Sequence, residues 1–149
     1  MNLFKKLVIC LFLNISIALV AHAALHGNEQ SVLDDLSLSN ATLGTEALNG
    51  YTVLTLNLPS GTKVKEYLSA NGQVFAVSWR GPLLPDFELI LGKHIKEYRD
   101  AFNSNSGRGP LVYRQPELII ESAGHIRAFS GRAYIPPLLP QGLRPEDIK

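Results

Sequence analysis

Cysteine is nearly missing from this chain: there is one in 149 residues, Cys10, close to the N-terminus. The remainder has no thiol, which excludes disulfides and cysteine-based metal sites and leaves apolar packing as the source of stability. Long apolar runs are also lacking. The longest, Leu7 to Val20, contains Asn14 and Ser16 and falls short of the roughly 20 residues that a spanning helix needs. Neither sign of charge dominates, with 14 basic against 13 acidic residues. Beyond Lys5 and Lys6 the basic residues cluster no more densely than the spaced pair Lys63 and Lys65. Nucleic acid and anionic membrane surfaces call for a basic stripe, so neither is an expected partner.

Catalytic signatures are scarce as well. There is no G-x-S-x-G, and Ser130-Gly131 reads as a kink in a strand rather than a nucleophile before a helix. Gly107-Arg108-Gly109 has no strand before it, no helix after it and no following Lys-Ser/Thr, so it does not read as a phosphate loop. Glu66, Glu117 and Glu121 show no sign of converging and are expected on solvated sheet faces.

What is present begins with an address. Lys5 and Lys6, the apolar stretch Leu7 to Val20 and Ala21-His22-Ala23 form a secretory leader, residues 1–23, with cleavage before Ala24. Cys10 leaves with it. Without Lys5 and Lys6, 12 basic residues face 13 acidic ones, a formal net charge of −1. Residues 24–149 suit one domain, ending in a Pro-rich tail over 136–149 that is expected to lie extended along it.

The centre of that domain is Tyr51 to Arg80. Tyr51 to Leu58 alternates in polarity, Pro59-Ser60-Gly61 stops it, and a second strand runs from Thr62 to Ser69. Asn71-Gly72 suits a type I′ hairpin turn. Gln73 to Arg80 is apolar on both faces, with Phe75, Val77 and Trp79 expected on one and Val74 and Ala76 on the other. Such a strand belongs at the core. Before the meander, Ser31 to Leu36 reads either as a short capped helix or as an irregular arm over the sheet.

After Gly81-Pro82, Asp86 caps an expected helix to about Phe102. Phe87, Ile90, Leu91, His94, Ile95, Tyr98 and Phe102 share one face of it. Leu111 to Arg114 and Glu117 to Glu121 read as strand material interrupted by Pro116, Ser122-Ala123-Gly124 as a turn, and His125 to Ile135 as the last strand. The expected architecture is α+β: an antiparallel sheet of about five strands, in the order β-β-β-α-β-β, with one amphipathic helix on one face.

Two kinds of site are conceivable on that frame. His94, His125 and Glu121 would make a zinc-type set for a small hydrolase if the last strand passed beneath the helix, but no close ligand spacing supports it, and no metal or cofactor is expected. The aromatic and arginine residues Tyr67, Trp79, Arg80, Arg127, Arg132 and Tyr134 could instead form a binding patch for a protein, peptide or saccharide. For Trp79 and Phe75 core packing is the favoured reading. Tyr67, which shares a strand with Lys63 and Lys65, is the ring expected in solvent.

Several short motifs occur in one order: Leu58-Pro59-Ser60-Gly61-Thr62, Glu66-Tyr67, Gly72 to Trp79, Gly81-Pro82, Pro85-Asp86, Leu91-Gly92 and Ser130 to Pro136. In these the chain resembles the bacterial family called domain of unknown function 2844, departing at Leu25-His26-Gly27 where Leu-Gly-Gly is expected. The resemblance implies an exported protein of a Gram-negative bacterium, periplasmic or secreted. It implies no activity, cofactor or catalytic residue. The reading that follows is a non-enzymatic binding or envelope-accessory domain.

Overall fold

Seven strands make one sheet in which every neighbouring pair is antiparallel. They are β1 (Thr42–Leu48), β2 (Tyr51–Asn57), β3 (Lys63–Ser69), β4 (Val74–Gly81), β5 (Leu111–Gln115), β6 (Leu118–His125) and β7 (Ala128–Tyr134). Their spatial order is β1-β2-β3-β4-β7-β6-β5, so a four-stranded meander meets a three-stranded one along β4 and β7. This computed structural model describes residues 25–105 and 109–149. The expected leader, Cys10 and most of Gly107-Arg108-Gly109 lie outside the described residues.

The helices are α1 (Glu29–Ser39), α2 (Phe87–Leu91) and α3 (Ile95–Ser104), with a 3-10 turn at Gly92–His94 between the last two. Asn28 caps α1: its side chain accepts from Ser31 N at 3.0 Å, while Ser31 Oγ accepts from Asn28 N at 3.1 Å, a reciprocal box that satisfies two otherwise orphaned amides. Upstream, the arm is stitched down by Leu25 N donating to Ile90 O and His26 N to Val74 O.

The α+β expectation of five strands and one helix is therefore overturned; the fold is mainly β with short helices. β1 was missed because Thr-Leu-Gly-Thr-Glu-Ala-Leu has no buried face to impose alternation, and all of its residues are exposed. Pro116-Glu117 is a tight hairpin joining β5 to β6, since Gln115 pairs with Leu118. Ser122-Ala123-Gly124 is strand, and the chain reverses at Ile126-Arg127. The long helix breaks at Gly92, whose φ of +50° and ψ of −121° no helix contains.

The turns need correction too. Asn71 does not take a positive φ; Gly72 does, at +77°. Gly72 N donates to Ser69 O and Ser69 N to Gln73 O, which closes a three-residue loop of the bulged type rather than a type I′ turn. Pro59-Ser60-Gly61 repeats the pattern, with Gly61 N donating to Leu58 O and Leu58 N to Thr62 O.

β4 lies at the centre of the sheet, and its residues Val74 to Trp79 are all buried. Tyr67 pairs with Ala76 and the next residue, Leu68, with Val74, so Phe75 is an extra residue on β4. That bulge shifts the faces. Val74, Val77 and Trp79 join the cluster beneath the helices, whereas Phe75 and Ala76 both pack on the opposite side. Trp79 anchors the helix layer, with its ring 5.1 Å from Phe87 edge-on and Phe87 in turn 4.3 Å from Tyr98. The opposite face is roofed by the C-terminal segment. Ile148 is buried against Phe75, Tyr67, Val53 and Tyr134, and Leu139 and Leu143 pack at its margin. Burying each large side chain here contributes about 1.5–3 kcal/mol.

Two glycines test this packing. A Cβ on Gly131 would sit 2.2 Å from Trp79 Cζ2 and 2.6 Å from the backbone oxygen of Glu121, so Gly131→Ala must displace the core ring or the neighbouring strand. Its expected cost is about 1–3 kcal/mol, as for other overpacked cores. At Gly72 a Cβ meets nothing within 4 Å. Gly72→Val should therefore destabilise through backbone conformation alone, by at least about 1–2 kcal/mol. Chemical denaturation of both variants against wild type measures each cost; equal stability of either with wild type contradicts the corresponding geometry.

Candidate functional site

The six residues picked out as a binding patch separate into two groups. Tyr67 and Tyr134 are buried at 3% and 5% exposure under the C-terminal segment, so Tyr67 is not the solvent-facing ring expected. Its hydroxyl donates to Lys149 O at 3.1 Å and accepts from Lys149 N at 2.9 Å, holding the end of the segment to the sheet. Lys63 and Lys65 suggested an exposed strand, but the covering layer comes from 80 residues downstream and has no local signal. Trp79 is core, at 2% exposure. Among the described residues its indole Nε1 has no hydrogen-bond partner.

The arginines come together. Arg80 at the end of β4 pairs in register with Ser130 on β7, and Arg132 lies two residues further along β7. Arg127 occupies the tip of the β6–β7 turn with a left-handed φ of +71°. A cavity of about 450 Å³ is lined by Trp79, Arg80, Glu121, Ser130, Arg132 and Lys149, with the start of β5 at its side. A second cavity of about 310 Å³ is lined by Arg80, Pro82, Arg127, Phe129 and Ser130. Arg80 and Ser130 line both, so the two cavities adjoin at this pair.

Charge in the groove is only partly compensated. Glu121 accepts from Arg132 Nε at 2.8 Å and Nη2 at 2.6 Å on one oxygen, and from Arg114 Nη2 on the other. Burial by itself would raise the Glu121 carboxyl; the guanidinium of Arg132, then that of Arg114, outweighs it and holds the group below its ordinary value. Arg132 also donates to Pro145 O, tying the tail to the sheet. Arg80 and Arg127 make no ion pair or side-chain hydrogen bond among the described residues. Tyr134, beside this network, is pushed up by burial, then by the Glu121 charge.

The set His94, His125 and Glu121 is not assembled. His125 lies at the exposed end of β6, with Nδ1 3.0 Å from Ile126 O, and Glu121 is held by arginines. His94 lies in the 3-10 turn with Nδ1 3.9 Å from Glu97 Oε1 and its ring 6.5 Å from that of His26. Burial depresses the pKa of both histidines, and Lys93 adds to the effect. Among the described residues no group of three or more His, Cys, Asp or Glu side chains is placed to hold a metal ion. Glu66 corrects another expectation: it is buried, at 1% exposure, rather than on a solvated face.

A family model described as Protein of unknown function (DUF2844) matches residues 21–148. The chain belongs to that family. The matched span takes in every strand and helix named above and the groove residues other than Lys149. No curated protein and no solved structure matches this family member. No helix among the described residues is long and apolar enough to cross a membrane.

Sequence reasoning missed Ser130, set aside as a kink, and the participation of Lys149 and of the start of β5. No local signal could have found them, since the groove exists only once β4, β7 and the tail are side by side.

The Glu121 network generates a pH prediction. A carboxyl whose folded pKa lies below its unfolded value contributes stability that is present above the ordinary value of about 4.5. That contribution is lost as pH falls through the folded value. Glu121→Gln should cost about 1–3 kcal/mol at neutral pH, the range for hydrogen bonds to charged groups. The gap to wild type should narrow in acid, below that ordinary value. Thermal unfolding of both proteins across that range measures it, and a gap that stays constant or widens in acid refutes the assignment.

Proposed function

We propose that this chain is an exported, non-enzymatic binding domain of the bacterial envelope or its surroundings, and that it takes carboxylate-bearing partners in the arginine-lined groove. The observation that carries the reading is that two guanidinium groups with no ion pair among the described residues, Arg80 and Arg127, line adjoining cavities. A planar guanidinium matches a carboxylate through two parallel hydrogen bonds, which favours an acidic peptide or a uronate-containing saccharide. Arg127 adds support through its backbone: a left-handed residue other than Gly costs roughly 1–2 kcal/mol, and strained side chains of this kind gather at functional positions. The leader and the cysteine-free remainder support export, and a net charge of −1 after its removal argues against nucleic acid as the partner.

The single tryptophan is 2% exposed with its ring packed against Phe87, so occupancy is read by isothermal titration calorimetry rather than by fluorescence. Titration with oligogalacturonate and with an oligoglutamate peptide should show saturable binding of at least one. Added salt should weaken it. Arg80→Ala and Arg127→Ala should each lower affinity about tenfold, which is ~1.4 kcal/mol. Binding unchanged in the double variant, or no binding of either probe, removes the reading. For export, the intact mass of protein recovered from the envelope fraction of an expressing cell should correspond to a chain beginning at Ala24; a retained leader contradicts that part alone.

A further inference from the structure

The two edges of the sheet are treated differently. β5 is five residues long, carries Arg114, lies between Pro110 and Pro116 and has α3 packed against it. Such short, charged, covered strands do not invite another strand. β1 has none of these protections. Its seven residues contain no proline, no lysine or arginine and no bulge, and all of them are exposed, Leu43 at 38% and Leu48 at 41%. Its only charge is Glu46. An unpaired row of amides and carbonyls on a regular strand is a template for a further strand.

The register says which groups face outward. Leu48 pairs with Tyr51 across the two-residue loop Asn49-Gly50, so that flanking pair is the mutually hydrogen-bonded one. Alternation then spends the backbone of Leu48, Glu46, Gly44 and Thr42 on β2. The amides and carbonyls of Ala47, Thr45 and Leu43 point away from the sheet.

We infer that β1 is a self-association edge, pairing antiparallel with β1 of a second copy about a two-fold axis through Thr45 to join two seven-stranded sheets. The sequence is self-complementary in this register. Leu43 of each copy faces Ala47 of the other, Thr45 faces Thr45, and about six new hydrogen bonds form between outward-facing groups. Leu43 and Thr45 stand on the same side as Leu56 and Leu54, the helix side, so the apolar pair extends an existing layer. Glu46 falls opposite Gly44, so the two carboxylates stand diagonally rather than directly across from one another. The chain's own β1 supplies matched side chains together with the backbone bonds, and this self-complementarity favours a second copy as the occupant. The surface lies at the far edge from the arginine groove, so this inference stands independently of the ligand proposed above.

An interface of one strand per copy belongs to the small class, below about 1,200 Å² in total, so the dimer should have a dissociation constant on the order of 10–100 µM. Sedimentation of the full chain, expressed with its own leader and recovered from the envelope fraction, should show the dimer fraction rising between about 5 and about 500 µM. Thr45→Pro removes an outward amide that β2 does not use, a position where edge strands accept proline. That variant should keep the wild-type circular dichroism and weaken the dimer at least about tenfold. In a Cys10→Ser background, Thr45→Cys should oxidise to a covalent dimer, since paired Cα atoms lie at about 5.5 Å. Ala47→Cys, whose two copies lie four residues out of register, should not. A monomer at the highest concentration, a dimer indifferent to Thr45→Pro, or equal cross-linking at Ala47 overturns the inference.

Discussion

A strand with no solvated face has to be covered twice, and in this protein the demand falls on β4. Its backbone groups are taken up by β3 and β7, while Val77 and Trp79 enter one apolar layer and Phe75 and Ala76 the other. One extra residue, Phe75, sends two consecutive side chains to the same side and sets the local twist, as bulges do. The helices cover one layer through the Trp79–Phe87–Tyr98 ring contacts. The segment after β7 covers the other without forming a strand, closing on Ile148. With Cys10 as its single cysteine, the chain can form no internal disulfide to assist this packing.

The tail is consequently a structural layer and also one wall of the candidate site. Arg132 shows the link: it binds Glu121 on the adjacent strand and Pro145 in the tail with the same guanidinium. Lys149 meets the Tyr67 hydroxyl and also lines the larger cavity. Arg132 is engaged by partners within the fold, while Arg80 and Arg127 make no ion pair or side-chain hydrogen bond among the described residues.

Much of the meander was legible. Alternation placed β2 and the ends of β3, the double-faced apolar run placed β4, and Asp86 marked the start of a helix, its side chain accepting from Glu88 N. Each of these signals is local, written by a period of two or by a cap. The second half was less legible because Pro116 and Gly124 punctuate without distinguishing a hairpin from a bulge or a strand end. β1 escaped because an exposed edge has no buried side to impose a pattern. Gly92 looked like a small cost within a helix and proved to be its break.

By itself, then, the sequence determined the absence of thiols beyond Cys10, the family, the central apolar strand and most of the turn positions, because composition and short-range backbone preferences suffice for each. Tertiary structure alone decided that Tyr67 and Tyr134 are covered, that Glu66 is buried, and that Arg80 stands between a cavity lined by Arg132 and one lined by Arg127. The covering of Tyr67 and the place of Arg80 depend on contacts such as Tyr67–Lys149 and Arg80–Ser130, between residues 82 and 50 positions apart. Such contacts arise from the closing of two meanders along β4 and β7 and from the return of the tail across the sheet. No window of neighbouring residues encodes that closure; it follows only when both faces of one strand must be removed from water at once.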